Sequence, residues 1–228
     1  MQTALLPVQS SSDDARASRH RSRRVGRTVW HSGDVAFTPQ DVVARLEDAG
    51  VRLDRGLTEP DVKRVEKKYG FTFGSDHRAL LRAALPLGDA WLNWRHATPA
   101  KIRERLQAPV EGVMFDVLNN GLWLPAWGTR PDDALAAERT AREQLSRVPA
   151  LIPLYGQRYL PAAPAPAGSP VFSVHQSDVQ IYADDLLHYV DVEFGSAEPP
   201  VTAPPNRPRL DFWSDLAASS PLPPIDPA

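Results

Sequence analysis

The stretch from Leu151 to Phe194, LIPLYGQRYLPAAPAPAGSPVFSVHQSDVQIYADDLLHYVDVEF, constrains this chain more than any other. Two apolar bursts, Leu151 to Tyr155 and Val171 to Val174, read as strands, and the Pro- and Ala-rich passage between them can only be a loop. A third burst, Val179 to Tyr182, follows His175-Gln176-Ser177-Asp178, a polar connection of the length that joins antiparallel neighbours. The order is a strand, an excursion and a hairpin. Asp184 or Asp185 then caps a short helix in which Leu186, Tyr189, Val190 and Phe194 recur at three- and four-residue steps, and Gly195 closes it. A helix with one apolar face must bury it, and the sheet is beside it.

Upstream, Thr38-Pro39-Gln40-Asp41 places a hydroxyl cap, a proline at the first helical position and an acid in the capping-box place. Val42, Val43 and Leu46 share a face until Gly50. Thr58-Glu59-Pro60-Asp61 repeats the grammar, with Val62, Val65 and Tyr69 as the stripe before Gly70. Glu66 reads as a helix-face charge pairing with Lys63 or Lys67. Gly70-Phe71-Thr72-Phe73 is a short extended link, and Ser75 or Asp76 caps a helix over Arg78 to Leu85. After the Pro86 to Asp89 turn, Ala90 to Arg95 reads as a strand, on which Trp91 and Trp94 point to opposite faces. Thr98-Pro99 starts a helix over Ala100 to Gln107, with Pro109 after it. Val113 to Val117 reads as a strand, Asn119-Asn120-Gly121 as a turn, and Leu122 to Gly128 as a segment that begins extended, on which Trp123 and Trp127 share a face if the extension survives Pro125. Asp132-Asp133 opens a helix from Ala134 to about Arg147.

These elements in this order resemble the SUKH superfamily, which includes fungal cell-wall assembly regulators of the Smi/Knr type and many bacterial proteins, some of them immunity proteins for polymorphic toxins. The C-terminal half of the resemblance lies in Pro153, YGQRYLP ending at Pro161, PVFSVHQSDVQIYADDL and the helix ending in Glu193-Phe194. The N-terminal half lies in Leu57-Thr58-Glu59 through Tyr69-Gly70, with Phe73 and Leu80-Leu81. It covers Thr38 to about Leu216, and departs where Gly74 replaces a common Pro and Ala183 a common Gly. The resemblance implies a noncatalytic binding protein: an immunity protein that neutralises a toxin by direct contact, or a scaffold in cell-wall-related signalling.

The resulting expectation is an α+β fold. A mainly antiparallel, twisted sheet of about five or six strands, formed from residues 90 to 182, carries helices from the N-terminal half on one side. At 228 residues the chain suits one domain with tails. The domain spans residues 38–195. A disordered basic tail, residues 1–37, precedes it, and a Pro-rich tail, residues 196–228, follows with a docking segment at 209–217. Many of the 23 prolines fall in the loop after Pro161 and beyond Gly195, where regular structure is excluded. Within the C-terminal tail, Leu210 to Leu216 is an apolar island expected to fold back through Phe212 or Trp213, with Ala217 to Ala228 disordered.

Without cysteine, disulfides, thiolate metal sites and cysteine nucleophiles are excluded. A net charge of -2 gives no overall signal for binding a polyanion. Six arginines between Arg16 and Arg27 make a local basic block that could hold nucleic acid or anionic lipid; lacking interleaved aromatics and a supporting fold, it reads rather as a solvated tail, or as sequence ahead of a later true start. No run approaches the roughly 18 apolar residues that cross a bilayer, and Arg27, His31 and Asp34 interrupt what would follow a twin-arginine signal. The expected location is the cytoplasm, with no membrane partner.

Local motifs for hydrolysis, metal binding and phosphate cradling are missing, so no catalytic residue, cofactor or metal is expected. His175 and Asp178 bracket a tight connection and suit backbone capping. Asp184, Asp185 and His188 could face a cation, although capping explains the acids. An enzyme with a dispersed site at Asp116, His175, Asp178 and His188 is the competing reading. The favoured partner is another protein. The residues expected to meet it are the aromatics Trp91, Trp94, Trp123, Trp127, Tyr155, Tyr159 and Tyr182, with Arg158, His175 and Asp178. The Ala162 to Ser169 excursion is expected to present alongside them.

Overall fold

A computed structural model describes residues 38–202 and 204–219, and the readings of the first 37 residues, arginine block included, and of residues 220–228 lie outside them. Helices α1 (Pro39–Asp48) and α2 (Glu59–Tyr69) start alike. The Thr38 hydroxyl accepts from the Asp41 N–H at 3.3 Å while the Asp41 carboxylate accepts from the Thr38 N–H at 2.8 Å, and Thr58 and Asp61 repeat the exchange. Each such cap contributes about 1 kcal/mol. Glu66 does not pair within α2: it accepts from the Phe73 N–H at 3.0 Å and from Arg78 at 2.9 Å, tying α2 to α3 (Ser75–Ala83). That third helix stops two residues before Leu85, because Ala84 to Leu87 are drawn off as a strand.

The strands form two antiparallel sheets. Strands β1 (Arg52–Arg55) and β2 (Ala84–Leu87) pair in a register that sets Arg52 opposite Leu87. The larger sheet has four strands, fewer than the five or six expected from residues 90 to 182, in the order β3 (Leu151–Tyr155), β4 (Arg158–Pro161), β5 (Val171–His175) and β6 (Asp178–Ala183). The β4 strand lies in the passage expected to be all loop. Its start follows a tight turn at Gly156, whose φ of +48° suits a residue without Cβ.

Side-chain alternation gives this sheet two apolar faces. Leu151, Tyr159, Phe172, Val174 and Val179 face α4 (Pro99–Asn119), α5 (Ala134–Leu145) and α7 (Trp213–Ser219). Leu154, Leu160 and Tyr182 face α1 and α6 (Leu186–Glu193), which Asp185 caps by accepting from the His188 N–H at 2.8 Å. The first three residues expected to be disordered after Leu216 belong to α7.

Two expected strands are absent from the described residues. Val113 to Val117 is the last part of α4, which runs through Pro109 to Asn119. Val113, Met114 and Val117 recur at helical steps onto the buried face, whereas Phe115 and Leu118 of the same apolar run are about half exposed, at 47% and 49%. Ala90 to Arg95 reaches only a single bridge, Trp91 to Tyr155. The Asn93 side chain accepts from the N–H groups of Arg95 and His96 at 3.1 and 3.0 Å, and this local turn competes with a ladder. The extension from Leu122 does not survive Pro125, since Pro125 to Trp127 is a 3-10 turn.

Candidate functional site

Four of the ten expected contact residues lie inside the fold. Trp94 packs edge-on against Phe73 at 5.1 Å, and Tyr159 belongs to the core between the sheet and α4. Arg158 is also buried. Its guanidinium donates to Ser173 Oγ at 2.8 Å and to Glu193 at 3.3 Å, and lies 3.8 Å from the centre of the Tyr182 ring. The arrangement pairs the charge and covers the flat guanidinium face with a ring. Arg158, Tyr159, Tyr182 and Trp94 therefore hold elements together. The Ala162 to Ser169 excursion is pinned too: the Ala163 N–H donates to the Thr72 carbonyl at 2.9 Å and the Gly168 N–H to Asp76 at 2.8 Å.

Trp91 and Tyr155 are half-buried, 4.9 Å apart, and share Phe194 as a third ring. His175 and Asp178 are exposed at the tip of the β5–β6 hairpin. The Asp116, His175, Asp178 and His188 combination divides. Asp116 accepts from the Ser177 N–H at 2.8 Å, from the Ser177 hydroxyl and from the Asn120 amide. Burial alone would raise its pKa, but these bonds outweigh burial and hold the carboxyl below its ordinary value. His188 instead meets Asp184 at 3.5 Å and the Glu198 carbonyl at 3.2 Å, and Arg207 donates to Asp184 at 2.8 Å. A guanidinium thus occupies the place beside Asp184 where a cation was considered. Among the described residues, no group of three or more acids and histidines could hold a metal ion.

Trp127 lines an apolar groove of about 520 Å³ between the Pro125 to Trp127 turn, the end of α5 and α7, and Trp123 packs against Trp127 without lining it. Leu124 and Trp127 line it from the turn, Val148 and Pro149 from the segment after α5, and Phe212 and Leu216 from the start of α7, with Arg147, Asp211 and Asp215 also lining it. The rings are fixed from behind. The Trp123 indole N–H donates to the Gly128 carbonyl at 2.8 Å, its ring lies under Arg130, and Trp127 meets it edge-on at 5.3 Å.

Beside the groove Trp213 is fully buried, its indole N–H donating to the Pro149 carbonyl at 2.7 Å. Phe212 has φ of +69°, a conformation that a bulky side chain seldom adopts. It turns the Phe212 ring nearly perpendicular to that of Trp213, so that Trp213 enters the core while Phe212 lines the groove. Sequence reading found both tryptophans and the island, but missed Leu124 and Val148, which carry no motif.

Comparisons with protein-family models, with curated proteins and with solved structures each find no match to this chain. Among the described residues no helix is long and apolar enough to cross a membrane.

Proposed function

We propose that this chain is a noncatalytic, cytoplasmic protein-binding module, and that its groove takes an extended, proline-containing segment of a protein partner. One observation carries the reading: Trp127 and Phe212, from two different segments of the chain, line the same apolar groove of about 520 Å³, each packed edge-on against a neighbouring tryptophan. Rigid aromatic anchors lose little freedom on binding, and the volume suits a few side chains. The walls come from a turn and two helices rather than a strand edge. That favours a ligand with no backbone ladder to complete, which is the character of a polyproline II segment.

The SUKH resemblance supplies the narrower form of the proposal, an immunity protein that neutralises a toxin by direct contact. The described chain supports the general form through the groove. The test is a panel of synthetic ten-residue peptides, each with apolar residues three apart among prolines, added to the full chain and followed by NMR at the tryptophan indole N–H groups. The expected result is micromolar binding that perturbs Trp127 and weakens at least tenfold in Trp127→Ala. Perturbation confined to other surfaces, or no binding across the panel, overturns the reading.

A further inference from the structure

We infer that the partner segment carries an arginine or lysine beside its apolar residues, received by the Asp211 carboxylate, while the Trp127 indole N–H holds its backbone; this rests on the groove accepting extended, proline-containing peptide. The first argument is charge. Arg147, Asp211 and Asp215 are the charged side chains that line the groove. Two of them already have partners: Arg147 donates to Glu143 at 2.5 Å, and Asp215 accepts from Arg209. Asp211 is exposed, and among the described residues its carboxylate has no hydrogen bond or ion pair. It directly precedes Phe212, so the open acid stands next to an aromatic that lines the groove. A cation on the ligand meets Asp211 there, whereas an acidic ligand meets two carboxylates and an arginine that is already paired.

The second argument is hydrogen bonding. Of the three tryptophans at or beside the groove, Trp123 donates to the Gly128 carbonyl at 2.8 Å and Trp213 to the Pro149 carbonyl at 2.7 Å. Trp127 lines the groove, and its indole N–H has no partner among the described residues. A polyproline II backbone makes no internal hydrogen bonds, so its carbonyls stay open to a donor. An indole N–H at an apolar slot meets that need with a ring that also covers the ligand's apolar side chains. The two contacts have different effects. The indole bond fixes the backbone of any such segment, and Asp211 discriminates between segments by charge.

The probes are two peptides with blocked ends, Ala-Ala-Arg-Pro-Ile-Pro-Pro-Ile-Ala-Ala and Ala-Ala-Ile-Pro-Pro-Ile-Pro-Arg-Ala-Ala, which set the arginine on either side of the apolar pair, and their versions with glutamine or glutamate in its place. Each is titrated into the full chain and into Asp211→Asn, followed by NMR at the Trp127 indole N–H, with the buried Trp213 N–H reporting that the fold is intact. At low salt at least one arginine peptide should bind about threefold more tightly than its glutamine version, and the glutamate version more weakly still. That preference should shrink in about 0.5 M salt. It should disappear in Asp211→Asn, which should keep its affinity for the glutamine peptide. The Trp127 N–H resonance should move downfield on saturation; a bound peptide that leaves it in place overturns the indole contact. Equal affinities for the arginine, glutamine and glutamate versions, or a preference that Asp211→Asn leaves unchanged, overturn the charge selection and leave the groove as a peptide site. Failure of these peptides and of the whole panel to bind removes the groove reading and the inference with it.

Discussion

The Arg158 guanidinium and the Glu193 carboxylate meet at 3.3 Å with side chains only 7% and 9% exposed, linking the central sheet to α6. Removing one partner leaves the other charge buried and unpaired, a loss of about 3 to 5 kcal/mol, whereas removing both can be close to neutral. Arg158→Met should therefore lower stability by about 3 to 5 kcal/mol. Arg158→Met/Glu193→Leu should recover most of that loss. Urea midpoints of the wild type, the singles and the double settle it, and a double as unstable as the single would mean that the ring contact with Tyr182 carries the site.

The hairpin and α6 were legible because their signals are local: alternating apolar residues, a short polar connection and an acid at the cap. Helix α4 was not, since Val-Met-Phe-Asp-Val satisfies strand and helix patterns equally, and Pro109 suggested an end that the helix passes through. Strand β1, Arg-Leu-Asp-Arg, has no apolar alternation and exists only because β2 lies beside it. At the groove, the aromatic residues stood out in the sequence. Which of Phe212 and Trp213 faces inward depends on one backbone angle, and nothing in residue type announces it.

Gly112 shows a constraint of the same hidden kind. A Cβ there would lie 2.9 Å from the Gln176 Cα and 3.1 Å from its nitrogen, so α4 passes directly under the β5–β6 turn. Gly112→Ala in an open helix would add about 1 kcal/mol of stability. Here the obstacle is backbone, and the turn it meets is already fixed by the Ser177 bonds to Asp116. The substitution should instead cost about 1 to 3 kcal/mol, and a stabilised variant in thermal unfolding would show that the turn yields.

Trp213→Ala and Trp127→Ala should separate folding from binding. Trp213 is fully buried with its N–H bonded, and its truncation should cost about 3 to 5 kcal/mol and abolish peptide binding by releasing α7. Trp127 is half-buried and lines the groove, so its truncation should spare cooperative unfolding while weakening the peptide. Comparison of unfolding curves with peptide titrations checks the contrast; equal stability losses would erase it.

Two histidines should give stability opposite slopes with pH. His188 is raised above its ordinary value, first by the hydrogen bond with Asp184, against the opposing effect of burial. Neutral, its Nδ1 accepts from the Asp184 N–H at 3.2 Å; protonated, it donates to the carboxylate at 3.5 Å. Its contribution is complete below the unfolded value of about 6.5 and is lost as pH rises through the higher folded value. His188→Asn should therefore destabilise most below pH 6.5 and progressively less above it.

His77 has the reverse sign. Its ring is enclosed beside Phe73 and Trp94, Nδ1 has no partner, and burial lowers its pKa to about 3. Above about pH 6.5 both folded and unfolded chains keep it neutral, and no difference arises. Below that, the unfolded chain binds a proton that the folded chain refuses, and stability falls by about 1.4 kcal/mol per pH unit until the folded value is reached. His77→Leu removes the titration while keeping an apolar side chain on α3. Near pH 7.5 it should change stability by less than about 1.5 kcal/mol. Relative to the wild type, it should gain about 2 to 3 kcal/mol between pH 6.5 and 4.5, read from urea midpoints across that range. Parallel pH profiles for the two proteins would mean that the ring takes up its proton in the folded state.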